Sequence, residues 1–230
     1  MIGIIGAMQT EVDLLISKIA DAKTKRISGI DFVNGTLCGR EVVVAKCGIG
    51  KVFAALCAQT MILRFGVELI INTGVGGAIA DCLDIGDVTV SDFVVQHDMD
   101  TSALGDPVGL ISGINVVRIA ADEKTSSDLI SVAREEGVNC ILGTVASGDK
   151  FISGAEAKKK ISDTFGAAVC EMEGAAIGHA CYVSGVDFVI IRCISDSATG
   201  EAEMEYPEMV SRAAVKSEAL VLAMLSNMED

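Results

Sequence analysis

Glu11 and Asp196 each follow directly on an apolar run, where a carboxyl group can serve acid–base chemistry. The run Ile2–Ile5 leads into Gly6-Ala7-Met8-Gln9-Thr10-Glu11. Thr10 can cap the helix that follows, with Asp13 three residues on as a weak capping box. Glu11 lies outside the apolar stripe of that helix. It reads either as a first-turn acid favoured by the helix dipole or as a general base. The run Phe188–Ile191 leads into Arg192-Cys193-Ile194-Ser195-Asp196-Ser197-Ala198. Arg192 and Asp196 bracket an otherwise apolar end. They form either a structural ion pair or a site in which Asp196 is a general acid toward a leaving group.

A third acid is Glu173 in Glu171-Met172-Glu173-Gly174-Ala175-Ala176. This segment starts a helix of small residues whose packing face is Met172, Ala175, Ala176 and His179, close to a sheet. A carboxylate buried beside that face costs several kcal/mol unless it is hydrogen-bonded; two vicinal sugar hydroxyls would satisfy it. Ser147-Gly148-Asp149-Lys150-Phe151-Ile152 ends another apolar run. An aromatic base could stack on Phe151 while backbone groups read its edge; a solvated turn with a core Phe fits equally. Two glycine-rich segments complete the set. Cys47-Gly48-Ile49-Gly50-Lys51 fails the phosphate-loop pattern, with Ala45 at the first Gly position and Val52 at the Ser/Thr position. Asn72-Thr73-Gly74-Val75-Gly76-Gly77-Ala78 fails the dinucleotide pattern, because Ile79 stands at the last Gly. Such a strand end still offers backbone N–H groups to an oxygen-rich ligand.

The elements that must position these residues alternate. Ile2–Ile5, Val42–Ala45, Leu69–Ile71, Val88–Val90, Ile141–Ala146 and Phe188–Ile191 are short apolar runs, expected as strands buried on both faces. Between them lie helical stripes: Val12, Leu15, Ile16 and Ile19; then Val52, Ala55, Leu56, Gln59 and Leu63; then Val210, Ala213, Ala214, Ser217, Val221, Met224, Leu225 and Met228. Arg26–Arg40 and Val88–Asn115 are expected to add strands and loops, so the sheet is expected to be mixed. No linker, low-complexity tract or repeat divides the chain, which reads as one α/β domain over 1–230. In such sheets ligands gather at the carboxyl ends of strands, where all six segments fall.

Composition narrows the function further. Among 230 residues, 18 Lys and Arg oppose 32 Asp and Glu, a net charge of −14. A surplus of that sign repels phosphates and argues against nucleic acid. Half the residues are hydrophobic, which excludes a disordered chain. The mean hydropathy of +0.50 reflects buried strands, since no apolar run approaches the roughly 18 residues of a membrane span. The start, Met1-Ile2-Gly3-Ile4-Ile5-Gly6, lacks the basic region of a secretory signal. Eight cysteines without C-x-x-C, and only two histidines, do not make a zinc framework. They read as buried free thiols in a reducing cytoplasm.

Taken in order and spacing, GIIGAMQTEVDLL, CGIGKV, NTGVGGA, SGDKFI, EMEGAA and IRCISDSA resemble the 5′-methylthioadenosine/S-adenosylhomocysteine nucleosidases, of the purine nucleoside phosphorylase-like superfamily. The resemblance covers essentially the whole chain. It implies a central mixed, partly barrel-like β-sheet flanked by helices, and cofactor-free, metal-free hydrolysis of the N-glycosidic bond of an adenine thionucleoside in methionine salvage. Glu11 matches the carboxylate that activates water, and Asp196 the acid at purine N7. Glu173 matches the ribose-hydroxyl ligand, beside the Met172 backbone. Phe151 and Ile152 match the purine pocket, and Arg192 a residue that helps hold the water. Met8, Ile49 and Tyr206 match apolar contacts to the ribose and 5′ group. Val75, Gly76 and Ser195 fall in the matched motifs. The family also implies a homodimer whose partner loop closes the 5′ side; here that loop spans His97 to Asp106 and contributes Thr101 and Leu104.

The physical requirements agree with that assignment. Breaking the C1′–N9 bond builds oxocarbenium character on the sugar and negative charge on the base, so an acid and a water-activating carboxylate divide the work. A raised Asp196 pKa would suit the acid. Two departures stand out. Val75 replaces a Ser common in the family, removing a hydroxyl near the water. Leu104 and Asp106 stand where aromatic residues are common, and Asp106 is expected to favour a polar 5′ tail. Three other readings compete: a phosphate-dependent purine nucleoside phosphorylase, a non-enzymatic nucleoside binder, and a hydrolase of another adenine nucleoside such as aminodeoxyfutalosine.

Overall fold

A computed structural model describes residues 1–197 and 206–228, and the side chains of 206 and 207 are outside the described set. The strands are β1 (Ile2–Gly6), β2 (Ala20–Ile27), β3 (Ile30–Leu37), β4 (Arg40–Lys46), β5 (Leu69–Ala78), β6 (Val88–Gln96), β7 (Ile119–Ala120), β8 (Cys140–Ser147), β9 (Ala167–Glu171) and β10 (Asp187–Asp196). The helices are α1 (Asp13–Ser17), α2 (Lys51–Phe65), α3 (Glu123–Glu135), α4 (Ala155–Phe165), α5 (Gly174–Ser184) and α6 (Tyr206–Asn227).

The strands form one mixed sheet in the order β10-β6-β8-β9-β5-β1-β4-β3-β2, with β7 on β6. A further parallel pairing joins β10 to β5. It closes β5, β10, β6, β8 and β9 into a five-stranded barrel, the partly barrel-like sheet expected from the sequence. β5 is the shared stave: it pairs with β1, β9 and β10. The six expected apolar runs are all strands, several of them longer than the apolar run itself. β5 and β10 continue through glycine and polar residues to Ala78 and Asp196, because barrel closure pairs those residues as well. β9 and β2 were not singled out. β2 (ADAKTKRI) is charged and almost wholly exposed, as suits an edge strand.

Helices cover both faces. α2 and α5 pack in one core, with Ala54, Cys57, Ala58 and Met61 against Ile5, Ile70, Ala176 and Ile177. α3 and α6 enclose the other, with Leu129, Val132, Leu220, Val221 and Met224 against Ile4, Ile71 and Val189. The α6 stripe is buried as expected. The α2 stripe is not: Val52, Leu56 and Leu63 are exposed, and the buried face is 54, 57, 58 and 61. That face carries the small residues Ala54, Cys57 and Ala58, where α2 packs chiefly against α5. α5 begins at Gly174, so Met172 precedes it. It is buried around nearly its whole first turn and a half, and His179 is only half-buried. All eight cysteines are unpaired; five are buried, Cys140 is intermediate, and Cys38 and Cys82 are exposed. Among the described residues no helix is long and apolar enough to cross a membrane.

Candidate active site

The carboxyl ends of β1, β5, β8, β9 and β10 and the loop after β4 meet around one cleft. Glu11, Glu173 and Asp196 all line it, as do Met8, Ile49, Val75, Gly76, Phe151, Ile152, Met172 and Ser195. Three acids 162 and 23 positions apart in sequence therefore share one cleft. Thr101 and Leu104 do not line it. Leu104 sits on a short 3-10 turn (Ser102–Leu104) and is 84% exposed. Tyr206 opens α6, and its side chain lies outside the described residues. Asp106 accepts a hydrogen bond from Thr101 Oγ1 at 2.8 Å.

Glu11 is buried, 3% exposed, on a 3-10 turn (Gln9–Glu11). Its Oε2 accepts from the backbone N–H groups of Ala7 and Met8, both at 2.8 Å. Its Oε1 accepts from Val75 N–H at 3.1 Å. Glu11 thus caps its own turn while facing the cleft, and it precedes α1 rather than standing in that helix's first turn. Thr10 does not cap α1: the N-cap is Val12, with no side-chain hydrogen bond. Burial pushes Glu11 above the usual carboxylate range, against the pull of Arg192 and the three N–H donors.

The glycines of β5 serve close approach rather than offering N–H groups along a loop. A Cβ on Gly74 would lie 2.6 Å from Glu11 Oε1, one on Gly77 2.8 Å from Asp196 Oδ2, and one on Gly76 2.6 Å from Val169 Cγ2. Gly74→Ala is therefore expected to push the Glu11 carboxylate off its position and to lower kcat about 100-fold, while the melting temperature changes little. Steady-state kinetics beside a thermal melt check this.

Arg192 does not line the cleft. Its guanidinium is 2% exposed and bonds to Glu171 Oε2, Asn72 and the Ile191 carbonyl. It is not paired with Asp196, and it reaches Glu11 only through space. Glu171 in turn accepts from Ser147 Oγ and from the N–H groups of Glu173 and Gly174, fixing the start of α5. Glu173 Oε1 accepts from Gly50 N–H at 2.7 Å. Burial, then the neighbouring Glu171, push Glu173 up to about 7, with Arg192 and the Gly50 N–H opposing. Three buried glutamates thus surround one buried arginine. Asp196 is held by Lys158 Nζ at 2.7 Å and by Ser195 Oγ at 3.2 Å.

Sequence reasoning missed Lys158, Glu171, Asn72 and Ser147 as members of this network. For Lys158 a signal existed. It stands in phase with Ile161 and Phe165 on the buried side of α4, although the Lys158-Lys159-Lys160 run looks like a solvated face. α6 also reaches the site. Ser217 Oγ bonds to Thr73 Oγ1 at 2.6 Å and to Gly74 N–H, and Glu218 Oε1 accepts from Leu14 and Leu15 N–H. Among the described residues, no group of three or more His, Cys, Asp or Glu could hold a metal ion.

A part-closed mixed barrel with acids gathered at its strand ends defines a nucleoside-processing α/β enzyme. The chain belongs to the Phosphorylase superfamily, whose family model it matches over residues 1–226, and within it to the 5′-methylthioadenosine/S-adenosylhomocysteine nucleosidases. It is 38% identical over 229 residues to such a nucleosidase of Staphylococcus aureus, covering 99% of this chain and 100% of that one. An S-adenosylhomocysteine nucleosidase of Streptococcus pyogenes, in complex with 5-methylthiotubericidin, superposes with TM-score 0.94 at 32% identity over 100% of this chain and 97% of the other. A futalosine hydrolase of Helicobacter pylori superposes with TM-score 0.93 at 34% identity over 99% and 97%. The chain is an N-glycosidic hydrolase acting on nucleosides.

Proposed function

We propose that this enzyme hydrolyses 5′-methylthioadenosine and S-adenosylhomocysteine, releasing adenine and the 5′-thioribose, as one domain spanning 1–230. The observation that carries this reading is the convergence of Glu11, Glu173 and Asp196 on one cleft. Glu11 takes a proton from water as its oxygen attacks C1′. The C1′–N9 electron pair passes into the purine, and Asp196 assists at N7. The surplus of buried carboxylates over the one buried guanidinium suits the positive charge that develops on the sugar. Phe151, 56% exposed in the cleft lining, is read as the ring that stacks on adenine, with Ile152 the other purine contact. Met8, Ile49 and Met172 supply the apolar wall for the sugar and thioether. Val75 contributes a backbone N–H to Glu11 where family members add a hydroxyl.

Glu173 is read as the ligand of the ribose hydroxyls. Glu173→Ala is expected to raise KM and lower kcat together, each about tenfold, because the sugar loses its orientation. Initial rates across a methylthioadenosine series measure both constants.

We further read the chain as a cytoplasmic homodimer in methionine salvage. Val52, Phe53, Leu56 and Leu63 leave an apolar face of α2 uncovered, and Leu104 projects from the loop assigned to the partner's site. The eight unpaired thiols fit a reducing compartment.

A phosphorylase reading is disfavoured by charge. Among the described residues Lys150 is the one cation that lines the cleft, Lys158 beside it is paired with Asp196, and Glu11 would repel phosphate. A futalosine-type nucleoside is the second substrate class, favoured by the Helicobacter pylori neighbour. The deciding experiment incubates the enzyme with methylthioadenosine in phosphate-free buffer and follows free adenine. Adenine release independent of phosphate supports hydrolysis of this substrate. Strict dependence on phosphate, or turnover of aminodeoxyfutalosine alone, overturns it.

A further inference from the structure

Lys158 has no part in the family resemblance, yet it is 2% exposed and ends inside the site. Its Nζ lies 2.7 Å from Asp196 Oδ2 and 2.6 Å from the Ser197 carbonyl oxygen. The opposite carboxylate oxygen, Oδ1, accepts from Ser195 Oγ. Gly77 keeps the space open, since a Cβ there would meet Asp196 Oδ2 at 2.8 Å and Lys158 Nζ at 3.2 Å. An ammonium in direct contact holds a carboxyl group ionised. Lys158 Nζ thus sets a proton donor directly against the carboxyl group read above as the acid. A buried ion pair has no advantage for stability over apolar packing, so its presence at the cleft wall calls for another role.

We propose that Lys158 is a positioning residue for leaving-group protonation: it fixes the Asp196 carboxyl group and returns to it the proton that the departing purine takes. The proposal rests on the reading of Asp196 given above. As C1′–N9 breaks, its electron pair enters the purine. The proton passes from Lys158 Nζ to the carboxylate and from the carboxylate to N7. Lys158 is left as a neutral amine, and solvent reprotonates it after adenine leaves. The water proton taken by Glu11 is released separately. Other titratable groups around the pair are Cys170 on β9, which burial pushes up to about 12 and keeps neutral, and Glu11, Lys150, Glu171 and Glu173 along the same cleft.

The test compares two substrates of the full-length enzyme: methylthioadenosine, and a 5-methylthioriboside of 4-nitrophenol, whose leaving group departs without protonation. Lys158→Met is expected to lower kcat for methylthioadenosine at pH 8 about 100-fold, with the nitrophenyl substrate within threefold of wild type by the same reasoning about which step needs a proton. The rate for methylthioadenosine relative to the nitrophenyl substrate in Lys158→Met should rise as the pH falls to 5.5, since solvent protons then take over the supply that Lys158 provides. In the wild type the ratio should stay flat. Gly77→Ala keeps the lysine but displaces both ends of the pair, and it should show the same substrate split if Lys158→Met does not fold. Equal slowing of both substrates, or unchanged methylthioadenosine hydrolysis, overturns the proposal. Asp196→Asn separates the two levels. If it abolishes methylthioadenosine hydrolysis while Lys158→Met does not, the Lys158 inference alone fails. If Asp196→Asn is fully active, the reading of Asp196 fails and the inference with it.

Discussion

Glu11→Gln is expected to lower kcat by about 1,000-fold or more while ligand affinity stays within a few-fold of wild type. The substitution is isosteric, and the turn is held by the same backbone donors. The amide oxygen can take over the Ala7 and Met8 N–H bonds of Oε2. The amide NH2 then faces Val75 N–H in place of Oε1, so one contact is lost but the side chain keeps its place. What disappears is the ability to accept a proton from water, which is needed only as the transition state forms. Burial raises the Glu11 pKa, and the base must be ionised to act. The acid limb of kcat/KM in the wild type should therefore lie above the ordinary carboxylate range, with activity falling as pH falls through it. Single-turnover kinetics together with equilibrium binding of a non-hydrolysable analogue measure both halves of this expectation. Tight binding without turnover is the expected result; near-normal turnover would remove Glu11 from its role.

Asp196→Asn carries the second large effect, a fall in kcat of about 100- to 10,000-fold. The amide oxygen still accepts from Lys158 Nζ, so the buried ammonium keeps a partner. The amide N–H can offer purine N7 a hydrogen bond, but it transfers no proton. Substrate should bind and persist. Crystals soaked with methylthioadenosine should show the intact nucleoside, whereas the wild type should show adenine. A variant that still releases adenine at the native rate would place the acid elsewhere.

Much of the fold was legible because each strand buried on both faces is an uninterrupted apolar run, as Ile2–Ile5 and Phe188–Ile191 show. The limits of those strands were not legible. β5 runs through Asn72 to Ala78 because β9 and β10 pair with its glycines, a tertiary cause with no local trace. The α2 stripe was misread for a related reason. Bulky Val52, Leu56 and Leu63 outweigh small residues in any hydrophobic pattern, yet the face that packs, chiefly against α5, carries Ala54, Cys57 and Ala58. Within the site, the cleft-lining acids were visible from their positions after apolar runs. Their partners were not. Arg192 was readable as a charge at a strand end, but its commitment to Glu171 and Asn72 depends on two strands far away in sequence. Lys158 was hidden inside a run of three lysines, where only its phase with Ile161 distinguished it.

The bonds from Ser217 and Glu218 to Gly74 and to the start of α1 carry a consequence for biosynthesis. A ribosome delivers β1 and its turn before α6. α1, directly after the Glu11 turn, is clamped by a side chain 204 residues further on, and β5 by one 143 residues further on. A nascent chain still lacking α6 would leave α1 and β5, which flank Glu11, without these clamps, so hydrolytic competence should arrive with α6 rather than accrue with each added strand.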